Sequence, residues 1–190
     1  MAGRGPTRAA GSLARSRATL AGAALALACG GDVAPPPAPS IGSAAPAERP
    51  ERVTAAIAGR VFDLEVALDD AARQRGLGGR TALGAQAGML FVWRRPLPLA
   101  MVMRDCPIPL DVAFFDATGR VLAVHPMRPE PPRRPGERAA AYEARLPAYA
   151  SPAPAALAME VAGGSLTELG VAPGDLVVIE GLSALMARAR

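Results

Sequence analysis

The chain has 190 residues, with 21 basic side chains, all of them Arg, against 17 acids, one His and two Cys. That length suits one folded domain around a single core. One His and two Cys exclude a zinc centre built from several His or Cys ligands.

Residues 1–17 carry Arg4, Arg8, Arg15 and Arg17 and no acid, and Ala18–Ala28 is an unbroken run of small and apolar residues ending at Cys29. A basic start, a short apolar stretch and small residues before a cleavage point describe a secretory signal over residues 1–28. The run is too short for an ordinary membrane-spanning helix, which needs about 20 apolar residues. Leu25-Ala-Leu-Ala-Cys29 resembles a bacterial lipobox, in which cleavage leaves a lipid-modified Cys at the new N-terminus. The expected partner is therefore a membrane, reached through lipid on Cys29, with the domain in the cell envelope on the exoplasmic side. Plain secretion with an incidental Cys29 and an uncleaved anchor are the alternatives.

The leader also carries the charge. Four of the 21 Arg and none of the 17 acids precede Cys29, so the remainder balances at 17 against 17. The mature chain lacks the basic footprint of a nucleic-acid binder. Residues 29–52 are rich in Pro and Ala and read as an extended, semi-rigid linker. The folded domain is expected over residues 53–182, with 183–190 as a C-terminal tail.

Val61–Leu68 alternates, with Phe62, Leu64, Val66 and Leu68 on one face and Asp63 and Glu65 on the other, which predicts a strand. Asp69 or Asp70 can cap a short helix through Arg75, stopped by Gly76. Gly88–Trp93 is a continuous apolar strand, and Leu99–Met103 follows. Leu110–Phe115 and Val121–Val124 flank the turn Asp116-Ala-Thr-Gly119, a hairpin with Arg104-Asp105-Cys106 at its entrance. Arg128–Ser151 is a long Pro- and Arg-rich excursion, of the kind that is either functional or mobile. Ala155–Val161 reads as a strand with Leu157, Met159 and Val161 on one face and Glu160 on the other. A short helix over Ser165–Leu169, a turn over Gly170–Asp175 and a last strand over Leu176–Glu180 complete the series. Six or seven short strands with two short helices predict a mostly β (α+β) fold, a small barrel or sheet.

Several of these stretches together resemble DUF192, an uncharacterised bacterial and archaeal family. Arg73-Gln-Arg-Gly-Leu77-Gly-Gly-Arg80 is similar to its R-x-R-G-L-M-x-R, Gly88-Met-Leu-Phe to G-M-L-F, and Met101–Asp116 to its central block F-W-M-K-N-T-x-I-P-L-D-I-A-F-I-D. Ala158-Met-Glu-Val161 is similar to L-E-V, and Gly170-Val-x-x-Gly174-Asp175 to G-I-x-x-G-D. The resemblance implies a fold and a cellular setting but no reaction. The departures are Val102 for the family's Trp, Arg104 for Lys, Asp105 for Asn and Cys106 for Thr in the central block, with Gly78 for the Met after R-G-L and Ala162 for the Asn after L-E-V. Many members also carry a Cys pair in the loop after the hairpin. Both are missing here, which implies a looser loop.

The candidate ligand-binding residues are Arg75, Arg80, Arg104, Asp105, Asp111 and Tyr149, with His125 and Glu160 as further candidates. Several Arg on one concave face suit a carboxylate or other anion, which the guanidinium fork holds bidentately. The competing reading is that Arg75, Arg80 and Asp111 pair with one another and fix the loops. Cys106 reads as a small buried residue or, beside Arg104, as an activated thiol. No Gly-x-Ser-x-Gly elbow, P-loop or dinucleotide fingerprint occurs, and no cofactor is expected. The function expected is a non-catalytic, lipid-anchored module that binds a small polar or anionic ligand or a partner. The alternatives are an envelope hydrolase using Asp105 or Asp111 with His125, and a purely structural domain.

Overall fold

The computed structural model describes residues 50–190. The signal sequence 1–28, the lipidation site Cys29 and the linker up to residue 49 lie outside the described residues.

Nine strands and four helices follow in order: β1 (Arg52–Ile57), β2 (Arg60–Ala67), α1 (Asp70–Arg75), β3 (Ala87–Leu97), β4 (Ala100–Met101), β5 (Leu110–Phe115), β6 (Val121–Met127), α2 (Ala139–Arg145), β7 (Tyr149–Ala150), β8 (Ala155–Ala162), α3 (Ser165–Glu168), β9 (Val178–Ile179) and α4 (Leu182–Arg188). Seven strands form one sheet in the order β6-β5-β8-β3-β2-β1-β9, and β4 pairs with β7 apart from it. The fold is mostly β, as the strand patterns predict.

Local chemistry sets the elements that were legible. The Asp69 carboxylate accepts the Ala72 N–H at 2.8 Å and caps α1, and Gly76 ends it at φ +48°. At the β5–β6 turn the Asp116 carboxylate accepts N–H groups from Thr118 and Arg120, and Gly119 supplies the left-handed residue at φ +86°.

Three elements depart from expectation. β1 lies where the linker was expected to end. Its turn to β2, Ala58-Gly59, takes φ +48° and +78°, the two left-handed residues of a tight hairpin, without the Asn-Gly that would announce one. The long excursion contains α2. There the Arg145 guanidinium holds Glu137 and the carbonyls of Pro131 and Pro132 and lies 4.7 Å over the buried Tyr142 ring. Polar contacts thus organise the segment that was expected to be loose. Finally, the expected tail 183–190 is mostly α4. Leu182, Leu185, Met186 and Ala189 follow helical spacing and pack against the core. Among the described residues the helices therefore number four rather than two.

Apolar side chains cover both faces of the sheet. Phe62, Leu64, Leu157, Met159 and Val161 pack on one face with Leu166 of α3 and Leu185 of α4. Phe91, Leu110, Val112, Phe114 and Ala158 pack on the other with Leu77, Met103 and Cys106. The sheet curls until its ends meet: Val177 N–H reaches the Gly119 carbonyl and Val121 N–H the Asp175 carbonyl, both at 2.8 Å.

Gly88 sits where the strands approach most tightly. A Cβ there would run into the Glu160 carbonyl and come within 2.8 Å of the Leu64 side chain. Gly88→Ala is expected to cost about 3 kcal/mol in urea denaturation, the upper end of overpacking penalties. A loss below about 1 kcal/mol would show that β3 and β8 can part freely.

Candidate functional site

The site is built around Glu160. The two-residue period of β8 turns Leu157, Met159 and Val161 to one face and Glu160 to the other. Met89 on β3 and Val112 on β5 flank it in register. The residue is only 5% exposed, its oxygens open onto a cleft, and among the described residues no donor reaches its carboxyl. Burial alone pushes its pKa from 4.5 up to about 8.

Glu160 lines a cleft of about 280 Å³ between the C-terminal end of α1, the outer end of β3 and the segment 100–106. The walls are apolar and aromatic: Phe91 and Trp93, stacked with centroids 6.4 Å apart, with Met101, Met103, Leu110 and Cys106. Three guanidinium groups line the same cleft, from Arg73, Arg75 and Arg104. Two are already engaged. Arg73 donates to the Val92 carbonyl at 2.8 Å, to Asp70 at 2.7 Å and to the Arg190 carbonyl, and lies 5.3 Å over the Trp93 ring. Arg104 forks onto Glu143 of α2, with its Nη2 at 2.7 Å. Arg75 is exposed and makes no ion pair among the described residues.

Of the six residues predicted to bind ligand, the structure brings Arg75 and Arg104 to this cleft and places the other four elsewhere. Arg80 forks onto the buried Glu65, with Nη1 at 2.9 Å. Asp111 is 1% exposed, and its two oxygens accept the N–H groups of Gly164 and Leu166 at 3.0 and 2.9 Å, holding the start of α3. Arg75, Arg80 and Asp111 therefore do not pair with one another. Tyr149 packs 6.1 Å from the His125 ring, and its hydroxyl accepts the Arg128 N–H.

Asp105 is a pin. It holds φ +51°, a left-handed conformation that Asp and Asn adopt more readily than most residues. Its carbonyl accepts the Gly79 N–H at 2.8 Å, and its N–H and carboxylate meet the Tyr142 hydroxyl at 3.0 and 3.2 Å. The charge facing Arg104 is chiefly Glu143, with Asp105 a lesser contributor. Cys106 is buried, its thiol points at the Ile108 carbonyl at 3.6 Å, and burial pushes its pKa up. That is an inert thiol, not an activated one.

The hydrolase pairing does not assemble. His125 lies on the Val112 face of the β5–β6 pair and Asp111 on the opposite face, with the sheet between them. Asp105 is committed to Tyr142, and His125 Nε2 meets the Ala150 carbonyl at 2.9 Å. What the residue pattern left hidden is that Arg73 and Trp93 form a cleft wall and that Glu160 stands alone in it.

A family model, DUF192, described as an uncharacterised ACR family, matches residues 53–179. Two solved structures are similar to the chain. One is a protein of unknown function from Novosphingobium aromaticivorans DSM 12444, 26% identical, covering 70% of this chain and 89% of its own, at a TM-score of 0.58. The other is a candidate transcription regulator from Sinorhizobium meliloti 1021, 30% identical, covering 69% of this chain and 94% of its own, at a TM-score of 0.54. No curated protein matches the chain.

The lone carboxyl predicts a pH dependence of stability. Between 4.5 and about 8 the folded chain holds a proton on Glu160 that the unfolded chain has released. Stability is therefore full below 4.5 and falls as the pH climbs to about 8. Glu160→Gln lacks this slope, so its melting temperature should gain on the wild type from pH 5 to 8 and then run parallel. Parallel curves throughout would mean the carboxyl has a partner or is well hydrated.

Proposed function

This chain belongs to the DUF192 family, and we propose that it is a lipid-anchored envelope module that binds a small polar or anionic ligand in the Glu160 cleft without transforming it. One observation carries the ligand-binding half: a cleft with aromatic and aliphatic walls holds one unpartnered carboxyl and an exposed guanidinium free of any ion pair among the described residues. Buried polar groups are ordinarily satisfied within a fold. A site that leaves one inward and one outward group open is suited to a ligand that meets both. Arg75 offers an anion two parallel N–H donors, while Arg104 adds charge at the mouth but stays tied to Glu143.

The anchoring half rests on the basic residues 1–17, the apolar run 18–28 and Cys29. A regulator's description attaches to the Sinorhizobium relative. For this chain a direct nucleic-acid role has little support, since 17 Arg face 17 acids from Cys29 onward.

Trp93 is the one Trp of the chain and lines the cleft, so its fluorescence reports occupancy. In titrations with a panel of aromatic and aliphatic carboxylates, Arg75→Gln should weaken every binder about tenfold, the worth of one charge-assisted contact, and leave melting unchanged. Arg104→Ala should instead lower the melting temperature by freeing Glu143. A fluorescence that ignores the whole panel would favour a purely structural domain. Full-length chain expressed in bacteria fed labelled palmitate should take up label, and Cys29→Ser should take up none; an unlabelled wild type would place the protein among plainly secreted or leader-anchored ones.

A further inference from the structure

We propose that the ligand of this cleft is a zwitterion, bound with an ammonium group inward against Glu160, an aromatic or aliphatic body along Phe91, Trp93 and Met103, and a carboxylate outward at Arg75. The inference rests on the reading of the cleft as a ligand site and adds the chemical class.

The polarity of the cleft carries it. Its inner end is the carboxyl of an almost fully buried residue, open only to the cleft, that no described donor satisfies. A carboxyl in such a place gains most from a cation that brings its own N–H donors, because ion pairing and hydrogen bonding together offset the desolvation. The walls suit the approach of a cation: two aromatic rings stacked at 6.4 Å, one of them already beneath the Arg73 guanidinium at 5.3 Å. The outer end has the opposite sign. A bare amine would pass the guanidinium groups of Arg73, Arg75 and Arg104 without compensation, and a bare carboxylate would leave Glu160 as lonely as before. A molecule with both charges, separated by an apolar body, meets both ends.

The proton balance follows. Below pH 8 the empty cleft holds Glu160 as the neutral acid. An arriving ammonium keeps its own proton, the Glu160 carboxyl releases one to solvent, and an ammonium–carboxylate pair forms. One proton is released per ligand bound, so affinity climbs about tenfold per pH unit up to about pH 8 and levels off above it. The other ionisable groups facing the cleft are Asp70, Arg73 and Arg75 from α1 and Arg104 and Cys106 from the segment before β5. The neighbours on β3 and β5, Met89 and Val112, are apolar. The Cys106 thiol is held above its ordinary 9.0 by burial, so Glu160 is the group that changes charge near pH 8.

The test uses four rigid probes of one size read by Trp93 fluorescence: 4-(aminomethyl)benzoate, 4-methylbenzoate, benzylamine and terephthalate. Tightest binding of 4-(aminomethyl)benzoate by about tenfold or more, with affinity rising about tenfold from pH 6 to 7 and about fivefold from pH 7 to 8, is the result expected. Glu160→Gln, which keeps shape and fold, should erase both the preference and the pH slope, and Arg75→Gln should weaken the binding while keeping the slope. If 4-methylbenzoate or terephthalate binds as tightly and still responds to Arg75→Gln, the inward ammonium is overturned while the ligand site stands. Equal binding of benzylamine, insensitive to Arg75→Gln, overturns the outward carboxylate. If none of the four binds at millimolar concentration, the zwitterion and the ligand site fall together.

Discussion

The burial of the sheet on both faces is the constraint from which the other features follow. β5 is buried at every position and β8 at all but its last. Continuous apolar runs suit such strands, and a polar residue in one has to find a use or a partner. Asp111 finds a partner: it reaches the backbone of α3 and fixes the helix that covers one face. Glu160, on the other face, finds none. The same strand pattern that builds the core therefore leaves one carboxyl without a hydrogen-bond partner among the described residues, and the segment carrying Met101, Met103 and Arg104 leaves an opening over it.

Charge in this domain is spent mostly on architecture. Arg73 ties α1 to β3 and to the last residue of the chain. Arg80 satisfies Glu65, Arg104 fastens the central block to α2, and Arg145 gathers the Pro-rich excursion. The adjacent Arg104 and Asp105 both serve the fold. An Asp can hold the left-handed backbone, and the added acid finds the Tyr142 hydroxyl rather than cancelling its neighbour. Against that background Arg75, exposed and without an ion pair among the described residues, stands apart.

What the residues reveal unaided is whatever short-range chemistry decides. The Asp69 cap, the Asp116–Gly119 turn and the alternation in β2 and β8 are all fixed within a few neighbours, and all were legible. β1 was harder, because its turn uses Ala58 where Asn would have advertised it. α4 was harder still, since a seven-residue helix has little intrinsic stability and exists by packing Leu185 on the sheet. The site was half legible. Alternation set Glu160 apart from Leu157 and Met159, but burial of its face depends on Leu77, Met103 and Cys106, far away in sequence. The partner of Arg104 lies 39 residues on, and that of Asp111 more than 50. Contacts of that span have no local signature, which is why Arg80 and Asp111 looked available and are not.

The sheet also sets an order on events in time. β1 pairs with β9, so Ala55 sits beside Ile179 and the first strand waits for the last. β3 likewise waits for β8, its antiparallel neighbour across the whole hairpin and the Pro-rich excursion. Non-local pairing of this kind slows folding, because distant segments must meet before their contacts reward the loss of chain entropy. A nascent chain, emerging N-terminus first, cannot complete its sheet until nearly every residue has been synthesised. Until β8 and β9 arrive, the hairpins β1–β2 and β5–β6 expose strand edges that these later partners will cover.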